Sequence, residues 1–492
     1  MISTYTMRGV LLPLIFLFFY SVNAWSQKPV QKTNNMKVYM HYMPWFETPE
    51  TIGRWGWHWT MQTKNPNKIV DGKREIAAHY YPLIGPYASR DHDVIEYHML
   101  LMKLSGIDGV LINWYGTQGS NGDIQDLLTS SNAIVSQLDN YGMEFGVVLE
   151  DRFSRNIDDA KANVRYLKDN YFNNPAYIRR GDNQDPLLAV FGPITFQQPA
   201  QWADILAEAG EDVEFLTLWY ESGDAGEVAD GEYAWVYQDN NNHINHLQNF
   251  YANRTSQSKT LMGSAYPGFN DFYKEGGSGE GYFTIPHNGG ATLDQTLAKL
   301  VEHESKIDLV QLVTWNDYGE GTIFEPTQET GFEYLKKVQT YTGVTYGEAE
   351  LELVYKLYRL RKEHKNDEQI QQQLNLAAAH LANLEIAEAK SILEAFVLGL
   401  FEGSIQQQYH QLPFQLYPNP LKGQTLHLQF EQINSPTRLS ISALSGKLIY
   451  SKAYPGGLSE IVLSMDKFKN GIYIVQLQSA SSVGTQKVVI SR

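Results

Sequence analysis

Eight short apolar segments, each followed by a stretch of helical character, succeed one another between residues 36 and 343. Each segment has the length and the β-branched and aromatic content typical of a buried strand. The predicted strands are Lys37–Tyr42, Asp108–Asn113, Glu144–Glu150, Pro186–Phe191, Glu214–Trp219, Tyr233–Val236, Leu261–Ala265 and Asp308–Trp315. This alternation predicts an α/β fold, a (β/α)8 TIM barrel. A doubly wound sheet is the alternative, which the absence of a GxGxxG or Walker loop after an early strand disfavours.

Two further regions follow the predicted barrel. Residues 347–409 carry apolar side chains at helical spacing, which predicts a short α-helical connector that packs on the barrel or spaces it from the next domain. Residues 413–492 contain alternating strand-like runs separated by Gly, Ser and Asn turns, which predicts a small all-β sandwich.

The first 24 residues have the pattern of a secretory signal peptide. Arg8 supplies the positive charge, and an apolar run follows from Gly9 to Tyr20. The small residues Val22 and Ala24 favour cleavage after Ala24. An uncleaved anchor is the alternative. No other apolar run approaches 18 residues, so we expect no transmembrane segment in the mature chain.

Composition excludes several classes of protein. The chain has no Cys, which excludes disulfide scaffolds, zinc fingers and cysteine nucleophiles. Its net charge of −16 argues against a nucleic-acid partner, which requires a basic face. The run Asp91-His92-Asp93 suggests metal ligands, but it precedes a predicted helix and is better interpreted as an N-cap. We therefore expect no cofactor and assign no metal site, although a structural Ca²⁺ stays open.

Aromatic residues concentrate where the predicted strands end. Seven of the ten tryptophans lie at predicted strand ends or in the loops that follow: Trp45, Trp55, Trp57, Trp59, Trp114, Trp219 and Trp315. Active sites of TIM barrels lie at this end of the barrel. Because aromatic faces stack on the C–H faces of sugar rings, the clustering indicates a carbohydrate ligand. The alternative is that these rings only fill the barrel mouth.

Asp317 and Glu320 are the candidate catalytic pair. They lie three residues apart in a glycine-containing segment beyond the eighth predicted strand. Glycoside cleavage needs one protonated carboxyl group to donate to the leaving oxygen and a second, ionised carboxylate as base or nucleophile. The pair therefore predicts a glycoside hydrolase, and a non-catalytic glycan-binding protein is the rival hypothesis.

Several motifs carry a family resemblance. The segment 315–322 resembles the signature of glycoside hydrolase families 71 and 99, and the segments 41–46, 53–56, 80–91 and 106–116 resemble further motifs of these families. The resemblance covers about residues 37–340 and implies an endo-acting hydrolase of α-linked polysaccharide. The implied substrate is an α-mannoside in family 99 and an α-1,3-glucan in family 71.

The resemblance also implies roles for the pair. Glu320 corresponds to the general acid/base of family 99, and Asp317 to the carboxylate that deprotonates the 2-hydroxyl of the sugar. Family 99 normally has Glu and a Trp-His pair in this loop, whereas this chain has Asp317-Tyr318-Gly319, which resembles family 71 more closely. Glu150 corresponds to a sugar-binding Glu, and a rim ion pair with Arg152 is its alternative role.

The remaining sugar-binding candidates lie at the ends of the predicted strands and in the loops beyond them. They are His41, Tyr42, Trp45, Trp57, Trp114, Trp219, Tyr266, His287, Trp315 and Asn316. His287 lies in a Gly-rich stretch, residues 276–290, that either closes over substrate or is a surface insertion.

The C-terminal region resembles another family. The motifs at 416–420, 445–447, 470–475 and 487–490 are similar to those of the C-terminal sorting domain of the type IX secretion system. The resemblance implies a Bacteroidetes-type bacterium, the type IX secretion machinery as a partner, and a secreted or cell-surface location. A generic β-sandwich such as a carbohydrate-binding module is the alternative.

Overall fold

The computed structural model describes seven stretches of the chain: residues 28–237, 242–254, 260–397, 410–434, 437–443, 448–479 and 482–492. The predicted signal peptide at residues 1–24 lies outside these stretches. The chain divides into two compact units, residues 1–398 and 399–492.

The first unit contains a closed sheet of eight parallel strands. The strands are β1 Val38–Tyr42, β2 Gly109–Trp114, β3 Glu144–Leu149, β4 Asp185–Val190, β5 Glu214–Leu218, β6 Gly231–Tyr233, β7 Thr260–Ala265 and β8 Leu309–Leu312. Each strand pairs with its sequence neighbours, and β8 pairs with β1 to close the cylinder. The predicted TIM barrel is thus confirmed, and the strands are buried because helices cover the outer face of the sheet.

Helices return the chain between successive strands. They are α1 His92–Leu104, α2 Ile124–Val135, α3 Ile157–Leu167, α4 Pro199–Leu206, α5 His243–Asn253, α6 Ala291–Glu302 and α7 Glu333–Thr342. The fifth strand is followed instead by the short helix Ser222–Ala225. The side chain of Asp91 accepts hydrogen bonds from the backbone N–H groups of Asp93 and Val94, which confirms the predicted N-cap of α1.

Three more helices complete the described part of the first unit: α8 Glu348–Glu363, α9 Glu368–Ala382 and α10 Ile386–Val397. A buried ion pair joins α8 to the barrel, since Arg361 Nη2 donates to Glu96 Oε2 on α1 at 2.8 Å. Lys362 also bonds Asp91, at 2.8 Å. Of the two roles predicted for the connector, packing on the barrel is the one observed for these helices. Residues 398–409 of the predicted connector lie outside the described residues.

The second unit is a two-layer β structure. Its strands are β9 His410–Gln411, β10 Phe414–Tyr417, β11 Thr425–Ile433, β12 Thr437–Ala443, β13 Leu448–Tyr454, β14 Leu458–Ser464, β15 Gly471–Gln478 and β16 Ser482–Ile490. One sheet has the order β9-β16-β15-β12-β13 and the other β10-β11-β14. Side chains of both sheets form one apolar core. The predicted sandwich is present, with β9, β10 and β14 as additional strands.

Within the stretches that the structure describes, no helix has both the length and the apolar composition needed to cross a bilayer.

Candidate active site

The candidate catalytic pair lies on a short hairpin directly beyond β8. Residues 316–317 pair antiparallel with residues 322–323, and the turn between them carries Glu320. The turn is closed by the N–H of Gly321, which donates to the carbonyl oxygen of Asp317 at 2.8 Å. Gly321 has φ +69°, and a Cβ there would lie 2.8 Å from the carbonyl oxygen of Asn270. Glycine is therefore required for the turn that presents Glu320.

A second loop holds the hairpin from the side of β7. The backbone N–H groups of Asn270 and Phe272 donate to the carbonyl oxygens of Glu320 and Gly319, both at 2.8 Å. Because the turn is bonded on both flanks, the Glu320 side chain starts from a fixed backbone position.

A cavity of about 1070 Å³ opens at this end of the barrel, and both Asp317 and Glu320 line it. Its volume exceeds that of a typical site for a single small molecule, so several sugar residues fit into it. Of the predicted binding residues, Trp45, Trp57, Glu150 and Trp219 also line the cavity.

The two carboxyl groups differ in their surroundings. Burial raises the pKa of Asp317 to about 7, against backbone hydrogen bonds from Glu320 and Gly319 that lower it. Burial, and then the nearby charge of Asp317, raise the pKa of Glu320 to about 8. The two groups titrate as a coupled pair, and the raised pKa values keep a proton on the pair into the neutral pH range.

Hydrogen bonds orient both carboxyl groups. Asp317 Oδ1 accepts from the backbone N–H of Glu320 at 3.0 Å, and Asp317 N–H donates to Thr314 Oγ1 at 2.8 Å. The Tyr273 hydroxyl donates to Glu320 Oε1 at 3.1 Å. This bond orients the Glu320 carboxyl group through Oε1.

Glu150 also lines the polar part of the cavity. It is buried, and its Oε2 lies 2.8 Å from Arg152 Nε. Asn113 Nδ2 donates to Glu150 Oε1 at 3.3 Å. Burial raises the pKa of Glu150, against the charge of Arg152, which lowers it. The ion pair predicted as an alternative role is therefore present, and the same carboxylate faces the cavity.

Aromatic rings cover the entrance near β1. Trp45 stacks on His58 with ring centroids 4.1 Å apart and an interplanar angle of 4°. Burial lowers the pKa of His58 to about 3, so the imidazole is neutral. Trp57 is 40% exposed beside this stack and presents an open aromatic face. Such flat surfaces fit the C–H faces of sugar rings.

The structure does not bring the other seven predicted binding residues to the cavity lining: His41, Tyr42, Trp114, Tyr266, His287, Trp315 and Asn316. All seven are buried. Trp114 points to the outer face of the barrel, where it stacks on Tyr166. The alternation of side chains along a strand explains this direction, because neighbouring residues of a strand point to opposite faces.

Tyr42, Tyr266 and His41 are held in the interior by polar contacts. The Tyr42 hydroxyl lies 2.7 Å from His98 Nδ1, and the Tyr266 hydroxyl 2.9 Å from His243 Nδ1. His41 contacts the amides of Gln311 and Asn113 inside the barrel, and burial lowers its pKa to about 4.

His287 and Trp315 also pack in the interior. His287 Nδ1 lies 2.7 Å from the Tyr334 hydroxyl, and its ring stacks on Tyr80. Trp315 contacts the ring of His98 edge-on. Neither position supports direct contact with substrate.

Asn316 links the catalytic hairpin to the loop after β1. Its Nδ2 donates to the carbonyl oxygen of Met43 at 3.0 Å, and its Oδ1 accepts from the N–H of Met43 at 2.9 Å. Nδ2 also donates to the Tyr87 hydroxyl, which in turn donates to the buried carboxylate of Glu325 at 2.6 Å. Asn316 is thus a positioning residue next to Asp317.

Replacing Asn316 with Ala is expected to lower the free energy of unfolding by about 3 kcal/mol, because it leaves the buried N–H and C=O of Met43 without partners. Chemical denaturation monitored by tryptophan fluorescence measures the change. The exposed Asn173→Ala is the matched control, expected within about 0.5 kcal/mol of wild type. Equal stability of the two variants would contradict the positioning role.

The cavity also contains residues that were not predicted to bind sugar: Tyr115, Trp235 and Tyr273, and Arg152, which was predicted only as an ion-pair partner of Glu150. Tyr273 lies eight residues beyond the end of β7, and nothing in its local pattern indicates its bond to Glu320. Tyr115 directly follows the predicted candidate Trp114, and Arg152 lies two residues beyond the predicted candidate Glu150. The alternation of side-chain direction along a strand was the sequence signal that could have identified Tyr115 as a cavity residue.

The raised pKa values predict a pH-dependent stability. Because Asp317 and Glu320 bind protons more tightly in the folded than in the unfolded chain, the free energy of unfolding falls as pH rises from about 4 to 8. Glu320→Gln removes one of these groups. The variant is expected to melt about 2 to 4 °C above wild type at pH 9 and close to it at pH 4. Thermal unfolding followed by circular dichroism at both pH values checks this.

The exposed Glu388→Gln is the control for that comparison and is expected to leave the melting temperature unchanged at both pH values. If Glu320→Gln changes the melting temperature by the same amount at pH 4 and at pH 9, the effect does not come from ionisation of Glu320.

Among the described residues, no group of three or more His, Asp or Glu side chains is arranged to hold a metal ion.

A match to a known family distinguishes between glycoside hydrolase families 71 and 99. The family described as glycosyl hydrolase family 99 matches residues 33–359, which include the whole barrel and the catalytic hairpin. The chain belongs to glycosyl hydrolase family 99.

Two similar proteins match over part of their length. A glycoprotein endo-alpha-1,2-mannosidase of Xenopus laevis is 28% identical over 193 residues, which cover 36% of this chain and 42% of the relative. The human glycoprotein endo-alpha-1,2-mannosidase-like protein is 23% identical over 336 residues, covering 60% of this chain and 70% of the relative. The chain spans less than half of the length of the Xenopus protein.

A solved family 99 structure shares the barrel. The endo-alpha-mannosidase from Bacteroides thetaiotaomicron superposes with a TM-score of 0.50 at 18% identity, covering 65% of this chain and 98% of that one. The likeness shows the common fold. A secretion system C-terminal sorting domain matches residues 415–491, in agreement with the resemblance of the second unit.

Proposed function

We propose that this family 99 protein is an exported endo-acting α-mannosidase that uses Asp317 and Glu320 as its catalytic pair. The single observation that carries the proposal is this carboxyl pair, with both pKa values raised, on one hairpin in a cavity large enough for a glycan. The activity of the Xenopus relative, an endo-alpha-1,2-mannosidase, supports an α-mannoside over an α-1,3-glucan.

Glu320 acts as the general acid. Its pKa of about 8 keeps it protonated at neutral pH, and the Tyr273 bond to Oε1 orients the carboxyl group. As the glycosidic bond breaks, the Glu320 proton moves to the leaving oxygen.

Asp317 acts as the base in the same step. It accepts the proton of the sugar 2-hydroxyl, whose oxygen then bonds to C1 as the leaving group departs. In the second step Glu320 takes a proton from water and the water oxygen bonds to C1 as the bond between C1 and the 2-oxygen breaks. Asp317 returns its proton to the 2-oxygen. Two displacements at C1 give a product that retains the anomeric configuration.

Glu150 and Trp57 bind the sugar. The Glu150 carboxylate, fixed by Arg152 and Asn113, accepts hydrogen bonds from sugar hydroxyls. Trp57 offers an exposed ring for stacking at the entrance.

Export is proposed from the sorting domain at 415–491. The N-terminal signal sequence would direct the chain across the inner membrane, and the type IX machinery would carry it across the outer membrane to a secreted or cell-surface location.

The test is the release of new reducing ends from α-mannan and, separately, from α-1,3-glucan. Wild-type protein is expected to cleave α-mannan, and the double variant Asp317→Asn/Glu320→Gln serves as the blank. Binding of α-mannan without release of reducing ends would instead favour the non-catalytic glycan-binding function.

A further inference from the structure

One side of the cavity is apolar, and the proposed chemistry does not use it. The side chains come from the ends of β4, β5 and β6 and the residues that follow: Phe191, Ile194, Leu218, Trp219, Trp235 and Val236. We call these six residues the apolar wall. Because β4, β5 and β6 are neighbours in the barrel, the six side chains lie on one side of the cavity. The acidic and amide groups lie on the side formed by β8, β2 and β3.

Ile194 is the most informative residue of the apolar wall. It is 44% exposed, although it lies inside a cavity. The loop that carries it is held firmly, because the buried carboxylate of Asp151 accepts hydrogen bonds from the backbone N–H groups of three successive residues. The shortest distances are 3.1 Å from Ile194, 2.8 Å from Thr195 and 3.2 Å from Phe196. An aliphatic side chain is thus kept in contact with solvent at a fixed place.

The neighbouring strand is tied to the same loop. The N–H of Leu218 donates to the carbonyl oxygen of Gly192 at 2.8 Å. Phe191 packs edge-on against Trp235, with ring centroids 5.1 Å apart. The apolar wall is therefore a preformed surface and not a loose loop.

The shape and polarity of this surface restrict what it can bind. A sugar hydroxyl against Ile194, Leu218 or Val236 would lose its hydrogen bonds to water and gain none. The flat C–H face of a sugar fits a flat ring, whereas branched aliphatic side chains fit a small group that projects from the ring. A methyl group is such a group.

We propose that the apolar wall is a subsite for a methyl-bearing substituent of the glycan: an O-acetyl ester, an O-methyl ether or the C6 methyl of a 6-deoxy sugar. The proposal rests on the proposed α-mannan hydrolysis and adds the class of substituted mannan that the cavity prefers.

The first experiment compares O-acetylated α-mannan with the same polymer after saponification. Wild-type protein is expected to show a kcat/KM about five- to tenfold higher on the acetylated polymer. O-methylated and 6-deoxy α-mannosides form two further arms, which identify the substituent. Equal or lower kcat/KM on all three substituted substrates would overturn the proposal.

Ile194→Asn tests the apolar wall itself. Asparagine places an amide at the exposed position, so the ratio of kcat/KM on the acetylated polymer to that on the saponified polymer is expected to fall to about one. Leu376→Asn on α9 is the matched control, since Leu376 is also an exposed aliphatic residue, at 41%, and lies outside the cavity lining. An unchanged ratio in Ile194→Asn would overturn the role of the apolar wall.

Binding separates this proposal from the proposed function. Titration calorimetry of the Glu320→Gln variant with the two polymers measures the same preference without turnover. If wild-type protein cleaves neither polymer, the proposed function fails, and the binding ratio still decides for or against the apolar wall.

Discussion

Replacing Glu320 with Gln is expected to reduce kcat/KM on α-mannan by about 10³-fold, because Gln cannot give a proton to the leaving oxygen. The side chain keeps nearly the same shape, so its bond with Tyr273 is retained. Reducing-end assays on purified variants measure the loss, with the exposed Glu388→Gln as a control of unchanged activity.

The leaving group identifies the role of Glu320. An oligomannosyl fluoride has a leaving group that departs without protonation, so Glu320→Gln is expected to keep kcat/KM for fluoride release within about tenfold of wild type. This constant reports only the steps up to fluoride release and does not include the later activation of water. If the variant is as impaired on the fluoride as on the polysaccharide, Glu320 is not the general acid. If it retains full activity on the polysaccharide, the catalytic assignment is wrong.

Replacing Asp317 with Asn is expected to reduce kcat/KM by a similar factor, about 10³-fold, on both the polysaccharide and the fluoride. The reason is that the base acts on the 2-hydroxyl whatever the leaving group is. The different response to the fluoride distinguishes the two carboxyl groups. The exposed Asp182→Asn is the control for this pair of assays.

Asp317→Glu tests how closely the position of the base is defined. The extra methylene moves the carboxylate by about 1.5 Å. Since Asp317 is buried and bonded to the backbone of Glu320, we expect a loss of about 10²-fold in kcat/KM with little change in KM. Activity equal to wild type would show that this loop adapts to either carboxylate. The presence of Asp317 in place of the usual Glu would then have no effect on the mechanism.

Much of the fold was predictable because its signals are local. All eight barrel strands lie within three residues of their predicted ends at each side, since each combines a short apolar run with flanking turn residues. The last predicted strand extended to Trp315, whereas β8 ends at Leu312. The difference arises because residues 313–317 leave the barrel and lead into the hairpin. The apolar residues among them are buried in the interior.

The placement of the site residues was only partly predictable. Asp317, Glu320, Glu150 and three of the predicted tryptophans line the cavity. Trp114 does not, because a single residue along a strand reverses the direction of the side chain. Tyr42, Tyr266 and His287 end in buried contacts with residues far along the chain, such as His98, His243 and Tyr334, which no local pattern indicates.

The sequence by itself determined the barrel, the sorting domain and the carboxyl pair, because each is expressed by residues close together in the chain. Only the tertiary structure decided which groups surround that pair. Tyr273 bonds Glu320 across 47 residues, and Asn316 bonds Met43 across 273. The apolar wall likewise brings together the ends of three strands. Side-chain direction and long-range contacts arise from how the closed sheet brings distant segments to one end, and a linear pattern does not contain that information.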